Sequence, residues 1–458
     1  MIPNPQGGAD ARVPHHGRDA TGAWAATGWG SGGSWHQATD AALDRLYETG
    51  GSPWVVTRPV AGTAMAGDAA TGGAGAHALE EPTGRRTDLV LAFVTSGLRE
   101  DFGRILGHLK RELGAAHVVG CSAAHGIAGG RILEGRESVV VLAVVAPGIE
   151  VRSVALTPEV VERAVALRTS PERQAAVIHR ALGVMPGDAN GWIVLADHAS
   201  VDAADVAALW TAAYPGEAII GAVASTTRED LPSTLFHDAM PVPDGVVAVA
   251  IGGAWGVQAI TSQGCTPIGR PWTITEVDGD RAIMTIGRRP ALGVLVETVR
   301  SLPAALVDRA RGNLFAGLAV NEVRMTGGRD DLMSCALVGA DQQTGAIMVL
   351  GRPAVGQTLQ FQYREPVATT ADLASRLEGS AHLQAGGAPL AAILFADDAR
   401  KESFFGAPDR DAITLREIAR DLPVAGFGCR AEIGPVGGRV VAVTHAACVG
   451  MIVPVPRP

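Results

Sequence analysis

Residues 121–131 read CSAAHGIAGGR and residues 429–439 read CRAEIGPVGGR. Six of the eleven positions coincide without a gap: Cys121/Cys429, Ala123/Ala431, Gly126/Gly434, Gly129/Gly437, Gly130/Gly438 and Arg131/Arg439. Each block follows an apolar run ending in glycine and leads into another apolar run. The repeated glycines let the backbone take positive φ and pass close to a neighbouring strand or a ligand. A self-match of this kind predicts two related halves and makes the turn the first candidate for a site.

Working outward from the turns, a strand–helix–strand unit recurs. DLVLAFVTSG (88–97) reads as a buried strand, and 98–113 as a helix with Phe102, Ile105, Leu106, Leu109 and Leu113 on one face and Gly114 as its stop. HVVGC (117–121) is the next strand. GWIVLADHAS (191–200) through AIIGAVAS (218–225) shows the same layout without the GGR turn, and PLAAILFADDAR (389–400) through VAGFGC (424–429) shows it with the turn. Each unit predicts a parallel strand pair joined by a helix. Residues 131–156 and 246–260 alternate and turn at glycines, as antiparallel strands do. The expected class is α/β, with mixed β-sheets and outer helices.

Domain limits follow from where this pattern stops. Residues 1–35 are Gly-, Ala-, Pro- and His-rich and read as a disordered tail. GWGSGG (28–33) matches the dinucleotide glycine pattern only formally, because no strand is expected before it, and His15-His16 lies in the same tail. A first domain spans 36–255, with a helix at Gln37–Tyr47 and a disordered insertion at 58–86. A second spans 256–456, after QGCTPIGRPW (263–272) breaks the alternation.

Composition removes several function classes. A net charge of −9 argues against a nucleic-acid partner. Only Lys110 and Lys401 are lysines, and neither completes a phosphate-binding loop. Five cysteines without a CxxC pair fit free thiols in a reducing cytoplasm, with no metal and no cofactor expected. No apolar stretch reaches the ~18 residues that span a bilayer, and no signal peptide is expected.

The chemistry of the repeated turn is that of a thiol beside an arginine. Arg131 and Arg439 offer planar guanidinium forks suited to a carboxylate. Strand alternation puts Arg439, Val441, Val443 and His445 on one face, and Glu432 could accept an amino group. Guanidinium and carboxylate together would clasp a zwitterion such as an amino acid. The same residues serve equally as an architectural turn closed by an Arg439–Glu432 pair. Cys429 or Cys121 could instead act as a nucleophile in a thiol-dependent amide hydrolase or transferase.

AGFGCRAEIGPVGGR (425–439), preceded by ILFADDARKESFFG (393–406), resembles the C-terminal FIST domain. DLVLAFVTSG followed by HVVGCSAAHGIAGG resembles the N-terminal FIST domain. The resemblance implies a stand-alone sensory module that binds a small molecule such as an amino acid or another small carboxylate. By position it implies ligand contacts at Cys121 and Ser122 in the first turn, at Glu432 and Gly434 in the second, and at Arg400 and Phe405 before it; Arg131, Cys429, Arg430 and Arg439 of the repeated turns complete the candidate ligand site. A cytoplasmic sensor signalling through a separate partner protein is the expected function. A pure protein-interaction module is the other non-enzymatic alternative.

Overall fold

The structure is a computed structural model that describes residues 22–50, 87–228, 230–321, 329–380, 383 and 389–455. His15-His16 and the 58–86 insertion lie outside the described residues. The expected mixed sheets with outer helices are present. The two related halves together hold three copies of one unit, two in residues 24–253 and one in 255–454.

Each unit has an outer strand, a central strand, a helix, a parallel strand, a hairpin and a closing strand. In the first unit these strands are Trp24–Ser31, Leu89–Thr95, His117–Ala123, the hairpin Gly126–Ala128/Arg131–Leu133, and Ser138–Val145. In the second they are Ile149–Leu156, Trp192–Ala196, Ile219–Val223, the hairpin Leu235–His237/Met240–Val242, and Val246–Gly253. In the third they are Trp255–Ser262, Ala391–Asp397, Val424–Cys429, the hairpin Glu432–Val436/Arg439–Val443, and Ala447–Pro454. The sheet of each unit runs outer–closing–central–parallel. The hairpins do not stay with their own sheets. The first extends the third sheet, the second extends the first, and the third extends the second.

The central strands lack alternation because both faces are covered. Leu89, Leu91 and Phe93 point into a core shared by all three sheets. Val90, Ala92 and Val94 point outward under the helices Trp35–Gly50 and Phe102–Glu112. Phe93, Phe395 and Phe427 meet in the shared core, with ring centroids 4.9, 5.2 and 6.2 Å apart. Fully burying such a side chain is worth about 1.5–3 kcal/mol.

Part of the stretch read as a tail is strand. Trp24–Ser31 pairs along its whole length with Ser138–Val145. Its glycines are there for packing. A Cβ at Gly28 or Gly30 would fall on the carbonyl oxygens of Ala42 and Ala38 in the adjacent helix. The composition looked unordered because strand and helix meet backbone to backbone.

The middle unit also has the turn, without its glycines. Asp238 (φ 49°) and Ala239 (φ 65°) adopt the left-handed pair that Gly129–Gly130 (58°, 74°) and Gly437–Gly438 (57°, 75°) adopt elsewhere. These are the values a two-residue type I′ hairpin turn requires. An alanine held there costs roughly 1–2 kcal/mol. Ala239→Gly is therefore expected to raise stability by about 1 kcal/mol, read from the urea midpoint; an unchanged or lower midpoint would contradict this.

Between Ser262 and the helix Pro366–Glu378 the third unit carries a barrel. Thr358–Arg364, Trp272–Asp278, Ala282–Ile286, Ile347–Val349, Leu332–Ala340 and Leu314–Ala319 pair in that order, and the last returns to the first. Ile274, Ile283, Leu318, Ile347, Leu359 and Phe361 fill it.

Candidate functional site

A cleft of about 710 Å³ lies between the barrel and the second sheet. One wall is the helix Ala203–Ala213, begun by Asp202, whose side chain accepts from the N–H groups of Ala204 and Asp205. Ala204, Ala208 and Ala212 recur at four-residue spacing, so one smooth helix face lines the cleft. The third hairpin contributes Arg439, Val440 and Ala442, and the segment before it contributes Arg430. The barrel contributes Arg281, Met333, Leu350 and Arg352.

Charge in the cleft is unbalanced. Arg352 spans to the helix, 2.9 Å from Asp202 and 2.5 Å from Asp205. Among the described residues, no hydrogen bond or ion pair holds the guanidinium of Arg281, Arg430 or Arg439. His198, at the carboxyl end of a central strand, also lines the cleft. Burial, followed by the charge of Arg430, lowers its pKa. Asp202 and Asp280 are the acids on the wall. Thr444 also lines the cleft, with its hydroxyl turned inward and buried without a hydrogen-bond partner among the described residues.

The residues expected from the repeated turn divide between this cleft and the interior. Arg430 and Arg439 are exposed and line the cleft. Glu432 is fully buried and turned away from Arg439, which pairs across the hairpin with Val436. The Cys429 thiol donates to Glu432 at 3.0 Å, and the Ala446 N–H donates to its other oxygen at 3.3 Å. Burial and the nearby Asp397 carboxylate push Glu432 well above the usual range. With both carboxyl oxygens engaged in the interior and no exposure to the cleft, the expected clasp of Arg439 and Glu432 is not formed. Burial, with Glu432 beside it, also pushes the Cys429 thiol up. Gly434 is glycine for space, because a Cβ would meet the Thr261 hydroxyl.

Arg400 is interior as well. Its Nε and Nη2 donate to Asp411 at 2.8 and 2.7 Å, and neither side chain is exposed. The Phe405 ring lies 5.6 Å from that guanidinium. Arg364, stacked 4.1 Å from Phe404, donates to the His445 carbonyl at 2.8 Å. Burial, followed by Arg400, lowers the Arg364 pKa to about 10. His445 does not continue the strand face. It stands at φ 61°, its N–H donating to Asp397 at 2.7 Å. This layer joins the third sheet to the barrel.

The first turn faces elsewhere. Cys121 and Ser122 are buried in the first sheet, where Ser122 donates to the Ser225 carbonyl at 3.1 Å and accepts from the Thr234 N–H at 3.0 Å. Burial alone pushes Cys121 well up. Arg131 is exposed on a hairpin that borders the third sheet, whereas Arg439 borders the second. The two turns therefore do not frame one pocket. Sequence reasoning passed over Arg281 and Arg352, which sit in barrel loops and become neighbours of the third hairpin only through the fold.

At the carboxyl ends of the three central strands stand Thr95, Asp397 and, directly after Ala196, Asp197. Each is used internally. Thr95 donates to Glu137 at 2.6 Å, and Asp197 accepts from Ser200 at 2.7 Å and from Ser233. Asp397 accepts from His445 and Ala399.

A family model described as FIST N domain matches residues 88–289, and one described as FIST C domain matches 291–435. The "uncharacterized protein Rv0628c" of Mycobacterium tuberculosis is 36% identical over 224 residues, covering 49% of this chain and 58% of that one. The "uncharacterized protein Mb0898c" of Mycobacterium bovis is 37% identical over 225 residues, with the same coverage of 49% and 58%. The chain thus spans a little over half the length of the curated relatives it matches. A crystal structure of cyanuric acid hydrolase from A. caulinodans has 10% sequence identity and a TM-score of 0.25, covering 93% of this chain and 99% of that one. That score does not establish a shared fold.

Proposed function

Because the chain belongs to the FIST family, a group of domains generally proposed to sense small ligands, we propose that it is a sensor whose ligand is a small anion held in the cleft. One observation carries this reading: three arginines without an acidic partner share a cleft, in a chain whose net charge is −9. Carboxylates are the natural match for planar guanidinium forks. An amino acid enters the same reading with its ammonium group against Asp280 or Asp202, in place of Glu432. The sensor works in the cytoplasm, in keeping with five free cysteines, and hands its signal to a separate protein. No helix among the described residues is long and apolar enough to cross a membrane.

A thiol enzyme is the less supported alternative. Cys121 and Cys429 are buried and held protonated, and a nucleophile needs an accessible thiolate.

Calorimetric titration with acetate, succinate and glutamate tests the reading. Binding of at least one is expected, weakened about ten- to a hundredfold by Arg430→Ala or Arg439→Ala, since a charged hydrogen bond contributes roughly 1.5–3 kcal/mol. Saturable binding that both variants leave unchanged would remove the cleft from consideration.

A further inference from the structure

The cleft is large and mostly smooth for a free amino acid. Its volume of about 710 Å³ falls within the roughly 300–1,000 Å³ that encloses a drug-sized ligand. A single amino acid would leave much of it unfilled.

The chemistry of the walls is graded along the third hairpin. Arg430 precedes the hairpin's first pair, Glu432–Val443, and Arg439 belongs to its last, with Val436. Four residues of strand, about 13 Å, separate these pairs. His198 lies near Arg430, whose charge it feels. Between the two cationic ends run Val440–Val443 of the hairpin, and the Ala204–Ala208–Ala212 side of the helix and Met333 of the barrel complete the apolar part of the lining. None of these apolar side chains can hydrogen-bond a polar ligand body. Thr444 aside, the uncharged polar residues of the lining are engaged within the protein: Thr211 donates to the Val440 carbonyl, Ser334 to Gln362 and Gln357 to the Ala319 carbonyl.

From this we infer that the ligand is an elongated amphiphilic carboxylate. An apolar body of medium chain length lies along the alanine face, and an anionic group meets Arg430 or Arg439. This rests on the reading of the cleft as the sensor's binding site and narrows its ligand class.

A chain-length series tests it on the full chain. Acetate, glutamate, butyrate, hexanoate, octanoate and decanedioate are titrated below their micelle-forming concentrations. Affinity is expected to rise roughly three- to fourfold per methylene up to octanoate, and decanedioate is expected to use both cationic ends. Ala208 is solvent-exposed, so Ala208→Trp fills the cleft without disturbing the core. That variant is expected to erase the gain in affinity with chain length. If acetate or glutamate binds as tightly as octanoate, in an Arg430-dependent manner, the amphiphile is overturned and the sensor reading stands. If octanoate binding survives Ala208→Trp, its site is elsewhere and the inference fails. If no probe binds, both readings fail.

Discussion

Gly426→Ala is expected to cost more than about 4 kcal/mol and to abolish soluble expression. One methyl group is the whole change, and it has nowhere to go. A Cβ at Gly426 would fall on the Leu394 carbonyl oxygen of the central strand. On the other edge, Ile127 of the first hairpin pairs with Gly426. The strand is thus fixed from both sides and cannot swing outward without breaking one ladder. Gly120 and Gly221 occupy the same place in the other sheets: a Cβ would meet Ala92 O and Val194 O, and Phe236 and Ile433 lie opposite. Gly103→Ala supplies the contrast. That glycine lies in the helix Phe102–Glu112 with nothing near its missing Cβ, so alanine there should be neutral or stabilising by up to about 1 kcal/mol. Comparable soluble yields and urea midpoints for the two variants would refute the packing argument.

Asp411→Ala is expected to destabilise the protein by about 3–5 kcal/mol, because it strands a guanidinium in the interior. Arg400 is 1% exposed and donates two hydrogen bonds to Asp411. Its remaining nitrogen reaches only the His445 carbonyl, which Arg364 already shares. Two guanidinium groups would then stand close together with one carboxylate fewer between them. Replacing both partners with apolar residues, Arg400→Met with Asp411→Leu, is expected to recover much of the loss, since the desolvation cost disappears with the charge. Urea midpoints of the single and double variants decide the matter. A double variant no more stable than Asp411→Ala alone would show that the pair contributes more than mutual neutralisation.

Periodicity and glycine placement made the three strand–helix–strand units legible, because those signals are local. The helix after Leu89–Thr95 begins with a 3-10 turn at Ser96–Asp101, yet the expected face of Phe102, Ile105, Leu106 and Leu109 is the buried one. Register was less accessible. The gapless match equates Cys121 with Cys429, whereas the sheets place Cys121 opposite Phe93 and beside Gly120, the position held by Phe427 beside Gly426. The third hairpin is longer by two residues on its first strand, Glu432–Val436 against Gly126–Ala128. That extension brings the sequence match back into step only at the turn itself. A shift of two preserves which face each side chain takes, so alternation could not reveal it. The middle hairpin was missed because Asp238 and Ala239 adopt a backbone shape usually reserved for glycine. At the site, arginines were the right residue type. Glu432 was placed wrongly because its inward orientation is set by Cys429 just before it together with Ala446 and Asp397, which only the fold brings beside it.

The hairpins passed from each sheet to the next make this protein a closed loop of mutual dependence, like three people each holding the next one's sleeve. Severing the chain between Gly253 and Trp255 would leave the amino-terminal part with a hairpin that has lost its host and a sheet that has lost its border. Unpaired borders of that kind invite self-association. Neither fragment is a self-sufficient module. The cleft, walled by the second unit, the third hairpin and the barrel, is complete only when both fragments are present.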